Sequence, residues 1–353
     1  MKRFWGAFFI FMLALTLSGC SWEESQSVGD DGVFKVAMVP DLGGVNDQSF
    51  NQSALEGLYA LRDSIPNVQV SYVEPKQFLD FEPIIERLAD GASDMIIGVG
   101  NGLADPIESV AARNLDKNFV SVDYDFGENI GNNVTGIVFR AQDCSFLVGY
   151  IAGMTTKTNK VGFVGGMRNV IIDQFQYGYE AGVMYAARER GMPIEVIVQY
   201  AESFTDAAKG KAIGVRLFSS DCDVVFHAAG GVGYGVIESA KEANKLVIGV
   251  DRDQSYLAPD NVLTSAVKNV GNAVQIVAKE LLNGGTIGGK NYEFGLKERC
   301  VGIPEEHKNM SEAVYQKALE LSHKIELGEV TVPYNMQTFE VYKENFLDGR
   351  GEI

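Results

Sequence analysis

Residues able to do chemistry in this 353-residue chain gather where apolar, β-branched runs give out. In "VAMVPDLGGVNDQSFNQ", Val36 to Gln52, such a run breaks into Asp41, Gly43, Gly44, Asn46 and Asp47. Phe50 and Asn51 follow at a predicted helix start. Gly98-Val99-Gly100-Asn101-Gly102 closes a later run, and Asp123 and Asp125 close the next. Further on, Gly165-Gly166, Ser203-Phe204-Thr205-Asp206, Gly230-Gly231-Val232-Gly233 and Asp251-Arg252-Asp253 stand at the ends of four more. Carboxylates there could serve general acid–base chemistry, but they belong to separate loops. No G-x-S-x-G, H-E-x-x-H or Cys–His spacing accompanies them. Glycine runs could cradle phosphate, yet the first turn lacks G-x-G-x-x-G. "GGTIGGKN", Gly284 to Asn291, has Asn291 where a magnesium-holding Ser or Thr belongs, and it precedes a strand.

Each residue also has a plain structural explanation. Phe50 and Phe204 could be core rings, Asp41 and Asp47 could cap the helix near Phe50, and Asp251 could simply turn the chain. Lys268 could be a solvated charge and Asp123 an edge residue. Their shared position argues otherwise. The runs "FKVAMVP", "VQVSYVEP", "DMIIGVG", "FVSVDYD" and "NVTGIVF" alternate with helical patterns, and the rhythm restarts with "KVGFVGG", "IEVIVQY", "DVVFHAAGG" and "LVIGVDRD". Near-continuous apolar strands separated by helices predict parallel sheets covered on both faces, here two consecutive doubly wound units. Ligands of such sheets bind beyond the carboxyl ends of the strands. Polar groups at that place in both units fit two half-sites facing each other across a cleft.

Composition narrows the partners. With 30 basic and 47 acidic residues the net charge is −17, so nucleic acid is a poor partner. "MKRFWGAFFIFMLALTLSGC" has a basic start, an apolar run and the end Leu17-Ser18-Gly19-Cys20, which predicts a signal peptide over 1–19 and lipidation of Cys20. Residues 20–32 are polar and turn-rich, a tether from lipid to fold. Cys144, Cys222 and Cys300 match no zinc spacing and are expected as buried small apolar residues. His227, His307 and His323 are scattered, the His323/Glu326 pair suits a solvated helix face, and no metal or cofactor is implied. The apolar spacing of "SEAVYQKALELSHKIELGE" predicts a packing helix.

"KVAMVPDLGGVNDQSFNQSALEGL" closely resembles the opening of the basic membrane protein (Bmp) lipoproteins, the PnrA-like purine nucleoside receptors. "KVGFVGGM", "FQYGYEAGV", "HAAGGVGYGVIESAKE", "VIGVDRDQ" and "LTSAVKNV" agree in the same order, from Phe34 to about Val301. The resemblance implies an α/β fold like type I periplasmic binding proteins, with two doubly wound parallel-sheet lobes and a ligand between them. The lobes are expected as 33–140 plus about 252–284, and 141–251 plus about 285–353. It further implies a non-enzymatic ABC importer subunit that passes a purine nucleoside (guanosine, inosine or adenosine) to permease partners. Phe50 and Phe204 match the rings that sandwich the base, and Asp41 the acid that accepts from it. Asp251 with Lys268 beside it matches the ribose contacts, Gly230 the backbone near the sugar, and Asp123 a further polar contact. Asn46, Asp47 and Asn51 lie in the motif loop with less defined roles. One departure is Pro40, which replaces a threonine beside Asp41.

The chemistry is consistent with that ligand. Offset stacking adds roughly 0.5–1.5 kcal/mol per ring pair beyond burial, and a carboxylate can take two ribose hydroxyls in charge-assisted bonds. Lys268 is expected to keep Asp251 ionised. Three other functions stay open from the sequence: the same fold holding a sugar or small signalling molecule, a calcium-dependent nucleoside hydrolase, and a surface adhesin or antigen.

Overall fold

The computed structural model describes residues 32–347; the signal peptide, Cys20 and nearly all of the tether lie outside the described residues. The first unit runs β1 (Phe34–Pro40), α1 (Phe50–Ser64), β2 (Val68–Tyr72), α2 (Phe81–Ala89), β3 (Met95–Val99), α3 (Ala104–Ala111), β4 (Asn118–Val122) and β5 (Val134–Phe139). The second runs α4 (Ala141–Thr155), β6 (Lys160–Gly165), α5 (Val170–Arg190), β7 (Glu195–Tyr200), α6 (Ala207–Ser219), β8 (Val224–Ala228), α7 (Val232–Ala243), β9 (Leu246–Asp251) and β10 (Val262–Lys268). The described residues close with α8 (Val270–Leu282), β11 (Lys290–Phe294), β12 (Val301–Gly302), α9 (Glu312–Glu326) and α10 (Met336–Leu347).

Among the described residues two six-stranded sheets result, in the orders β2-β1-β3-β4-β5-β11 and β7-β6-β8-β9-β10-β12. Every pairing is parallel except β10 with the two-residue β12. β3 and β8 are buried at every residue, so both faces of these strands must be apolar, and they read Met-Ile-Ile-Gly-Val and Val-Val-Phe-His-Ala. Each of the nine runs expected to form strands does so.

The expected lobe boundaries are corrected in two places. Residues 262–268 were assigned to the first lobe, but β10 is hydrogen-bonded to β9 in the second sheet. Residues 290–294 were assigned to the second lobe, but β11 pairs with β5 in the first. Between them α8 returns to pack on α1. The chain therefore crosses between the sheets after β5, after β10 and after β11. Those crossings all leave from the β5/β11 edge of one sheet and the β10/β12 edge of the other, so the lobes are hinged along that side.

Helix packing fixes where the cleft residues stand. A Cβ on Gly57 of α1 would lie 2.2 Å from the Gly271 Cα of α8, so the two helices cross with their backbones in contact. That crossing seats the N-terminus of α1, and with it Phe50, over the end of the second sheet. α4 is buried from Ala141 to Gly153 against α5. In α9, the packing helix expected from its apolar spacing, Tyr315, Ala318, Leu321 and Ile325 are buried, while the apolar Ala313 and Leu319 of the same helix are exposed. Cys144, Cys222 and Cys300 are buried free thiols, and His323 and Glu326 form an exposed pair at 3.7 Å.

Candidate functional site

A cleft of about 720 Å³, counted out to its open mouth, lies between the carboxyl ends of the two sheets. Asp41, Asp47, Phe50, Asn51 and Asp123 line it from the first lobe; Phe204, Gly230, Asp251 and Lys268 line it from the second. Asn46 is exposed and does not line it, because the turn that carries it swings toward solvent. Sequence reasoning did not single out Asn169, Ile171, Ile172 or Phe175, which also contribute. The signal for Asn169 was its place just past the strand-ending Gly165-Gly166.

Two strained backbone positions lie at this surface. Asp123 (φ 67°) and Asp251 (φ 65°) are left-handed non-glycine residues at the ends of β4 and β9. Such positions cost about 1–3 kcal/mol each and persist only where their surroundings enforce them. Gly230 (φ 54°) and Gly100 (φ 118°) make the same departure at the ends of β8 and β3 without a Cβ penalty. The left-handed turn is what carries each aspartate off its strand and into the gap.

The motif loop is cross-braced by Asn51. Its Oδ1 accepts the Asp41 N–H at 3.1 Å, and its Nδ2 donates to Asp41 Oδ1 at 2.8 Å and Asp47 Oδ2 at 3.0 Å. This amide supplies the polar bracing that Pro40 cannot. Asp47 also accepts the N–H groups of Ser49, Asn51 and Gln52 at 2.8–3.0 Å, so both its oxygens are spent holding the start of α1. The helix-capping alternative thus describes Asp47. Asp41 keeps Oδ2 without a partner among the described residues. Burial raises its pKa, against hydrogen bonds from Asn51 and Gly43 that lower it.

The second polar group joins the lobes. Lys268 Nζ pairs with Asp123 Oδ2, whose other oxygen is buried without a partner. The same ammonium lies 4.5 Å from the Phe50 ring centre and 5.0 Å from that of Phe139. Ser49 Oγ donates to Asp251 Oδ2 across the gap. Lys268 was expected to pair with Asp251; it pairs with Asp123, and the expected effect on Asp251 is outweighed. Burial raises the Asp251 pKa to about 6, with Lys268 and Ser49 lowering it only in part.

The rings come from opposite lobes. Phe50 opens α1, while Phe204 follows β7 and packs on bare backbone: a Cβ on Gly166 would sit 2.2 Å from the Phe204 ring. Four carboxylates against one ammonium make the cleft hostile to phosphate, and its floor of Ile171, Ile172, Phe175, Ala228 and Val250 is apolar. The arrangement can hold a flat apolar body at one end and a cluster of hydroxyls at the other.

A family model described as "ABC transporter substrate-binding protein PnrA-like" (Bmp) matches residues 34–336. Basic membrane protein A of Borreliella afzelii is 38% identical, covering 94% of this chain and all of the relative. A CD4+ T-cell-stimulating antigen of Listeria innocua serovar 6a is also 38% identical, over 92% of this chain and 96% of the relative. Among solved structures, a solute-binding protein of an ABC transporter system from Aeropyrum pernix K1 superposes with a TM-score of 0.79 at 26% identity, covering 90% of this chain and 98% of that one.

Proposed function

This chain belongs to the Bmp family of PnrA-like ABC transporter substrate-binding proteins, and from that premise we propose that its cleft binds purine nucleosides for import. The family is one of solute-binding proteins rather than enzymes. The observation that carries the proposal is that Phe50 and Phe204 reach one cleft from opposite lobes, beside Asp123, Asp251 and Lys268. The base stacks between the rings, and the ribose hydroxyls donate to Asp251 and to the unpartnered Asp123 Oδ1. Ligand that touches both lobes favours the closed state by its extra contacts there. The loaded protein then docks on membrane permease subunits, held near them by a lipid on Cys20. No helix among the described residues is long and apolar enough to cross a membrane.

Calorimetric titration of the purified protein, unfolded and refolded to strip host ligand, tests this. Guanosine, inosine, adenosine, cytidine and ribose are the ligands. Micromolar or tighter binding of the purine nucleosides, lost in Phe50→Ala and Asp251→Ala, is the expected result. Binding of ribose or another sugar with no nucleoside binding would sink it and leave a sugar-binding protein of the same fold.

A further inference from the structure

Two cleft residues with unspent hydrogen-bonding atoms have opposite polarity. Asn169 caps α5: its Oδ1 accepts the N–H groups of Ile171 and Ile172, each at 2.9 Å. Two helix-terminal donors on one oxygen fix the amide, because flipping it would set an NH₂ group against them. Nδ2 is left as a pure donor with no partner among the described residues, on a side chain that lines the cleft. Asp41 is the reverse case. Its Oδ1 accepts from Gly43 N–H and Asn51 Nδ2, both at 2.8 Å, and Oδ2 is left as an acceptor.

Sheet order puts the two at the same end. Asp41 follows β1, two strands from Asp123 at β4; Asn169 follows β6, two strands from Asp251 at β9. At about 4.8 Å per strand each separation is about 10 Å. Both displacements run away from the hinged edges, so Asp41 and Asn169 stand outboard of the ion-paired cluster, one on each lobe. Phe204, which follows the outermost strand β7, belongs to that end as well.

We propose that Asn169, acting opposite the Asp41 contact to the base that the family resemblance already implies, reads the edge of the base and selects 6-oxopurine nucleosides over adenosine. This rests on the nucleoside assignment above. Guanine and hypoxanthine present acceptors at O6 and N7 and a donor at N1–H. Asn169 Nδ2 donates to the first pair and Asp41 Oδ2 accepts from the second. Adenine keeps the N7 acceptor but carries a 6-amino donor in place of O6 and an acceptor at N1, which sets donor against Asn169 Nδ2 at position 6 and acceptor against Asp41 Oδ2 at N1. A site built for one hydrogen-bond pattern rejects the other strongly, because its own polar groups are then buried unpaired.

The test is titration of the refolded full chain with guanosine, inosine and adenosine, repeated on Asn169→Asp and Asp41→Asn. Aspartate keeps the oxygen that caps α5 and replaces the donor with an acceptor, so a purely structural role for Asn169 would leave the ligand ranking unchanged. Expected is a wild-type preference of tenfold or more for guanosine and inosine, with the guanosine-to-adenosine ratio falling at least tenfold in either variant. Should Asn169→Asp not fold, Asp41→Asn carries the same prediction. Wild-type protein that binds adenosine as well as guanosine, or a ratio unmoved in a folded variant, would overturn the proposal and leave the nucleoside assignment standing. Wild-type protein that binds no nucleoside would end both.

Discussion

Lys268 lies with its ammonium 4.5 Å from the centre of the Phe50 ring while paired to Asp123. The ring is thereby backed by a buried cation where it lines the cleft. A lysine at the end of one sheet thus orients an aromatic on the other lobe, and the charge that holds the lobes together also holds the ring.

Truncating that ring removes both stacking and buried area. Phe50→Ala is expected to weaken purine nucleoside binding by about 2–4 kcal/mol, roughly 30- to 1000-fold. Phe50→Tyr should stay within about tenfold of wild type. Calorimetry on folded variants decides it: equal losses in the two would mean the ring is packing and not a platform.

Asp251 ties affinity to pH. Its folded-state pKa of about 6 lies above the ordinary carboxylate value, so its contribution to stability is fully present at low pH and is lost as pH rises through about 6. Neutralising it should therefore stabilise the ligand-free protein at pH 7–8, by up to about 3 kcal/mol for Asp251→Asn, while binding collapses. For the wild type, ribose hydroxyls need the ionised form, so affinity should fall as pH drops below about 6, approaching tenfold per unit. Denaturant melts and titrations at pH 5 and 7.5 measure both signs. A destabilised Asp251→Asn, or flat affinity across that range, contradicts the assignment.

Gly166 gives a way to disturb the second ring without touching it. A methyl there would collide with Phe204 at 2.2 Å and push the ring from its seat. Gly166→Ala should keep a near-wild-type melting temperature, because a loop ring can move aside, yet lose at least tenfold in nucleoside affinity. Unchanged affinity would mean Phe204 does not contact the ligand.

The lobes are latched at several points beside the cleft. Ser49 donates to Asp251, Tyr256 donates to Gln48, and Arg252 pairs with Glu56 at 3.0 Å. Removing the buried member, Ser49→Ala, should shift the ligand-free protein toward an open form with a larger radius of gyration by small-angle scattering. A closing response to guanosine should persist. Identical scattering before and after the mutation would show that the latch does not set the resting state.

Much of this protein was legible in its residues because parallel strands buried on both faces must be continuously apolar. "FKVAMVP" and "DVVFHAAGG" could therefore be read as strands, and the polar groups after them as strand-end loops. A rule about sheet topology, that ligands bind beyond the carboxyl ends of parallel strands, is enough to assign Asp41, Asp123, Gly230 and Asp251 to one cleft. Other features depended on pairings between distant segments. β11 returns to the first sheet because its hydrogen-bond partner, β5, lies far away in sequence, and β10 stays beside β9 so that the crossing comes one strand later than expected, which no local pattern encodes. Lys268 pairs with Asp123 rather than Asp251 because the crossing after β10 brings it against the end of β4. Asn46 and Asp47 are neighbours of equal promise in the sequence, yet one faces solvent and the other is consumed by the helix start. Asn169 looks like an ordinary helix cap until the fold brings it to line the same cleft as Asp41. Residue type and strand periodicity determined what chemistry was available. Tertiary structure decided which groups meet, because burial, strain and hydrogen-bond satisfaction are set by contacts across the whole chain.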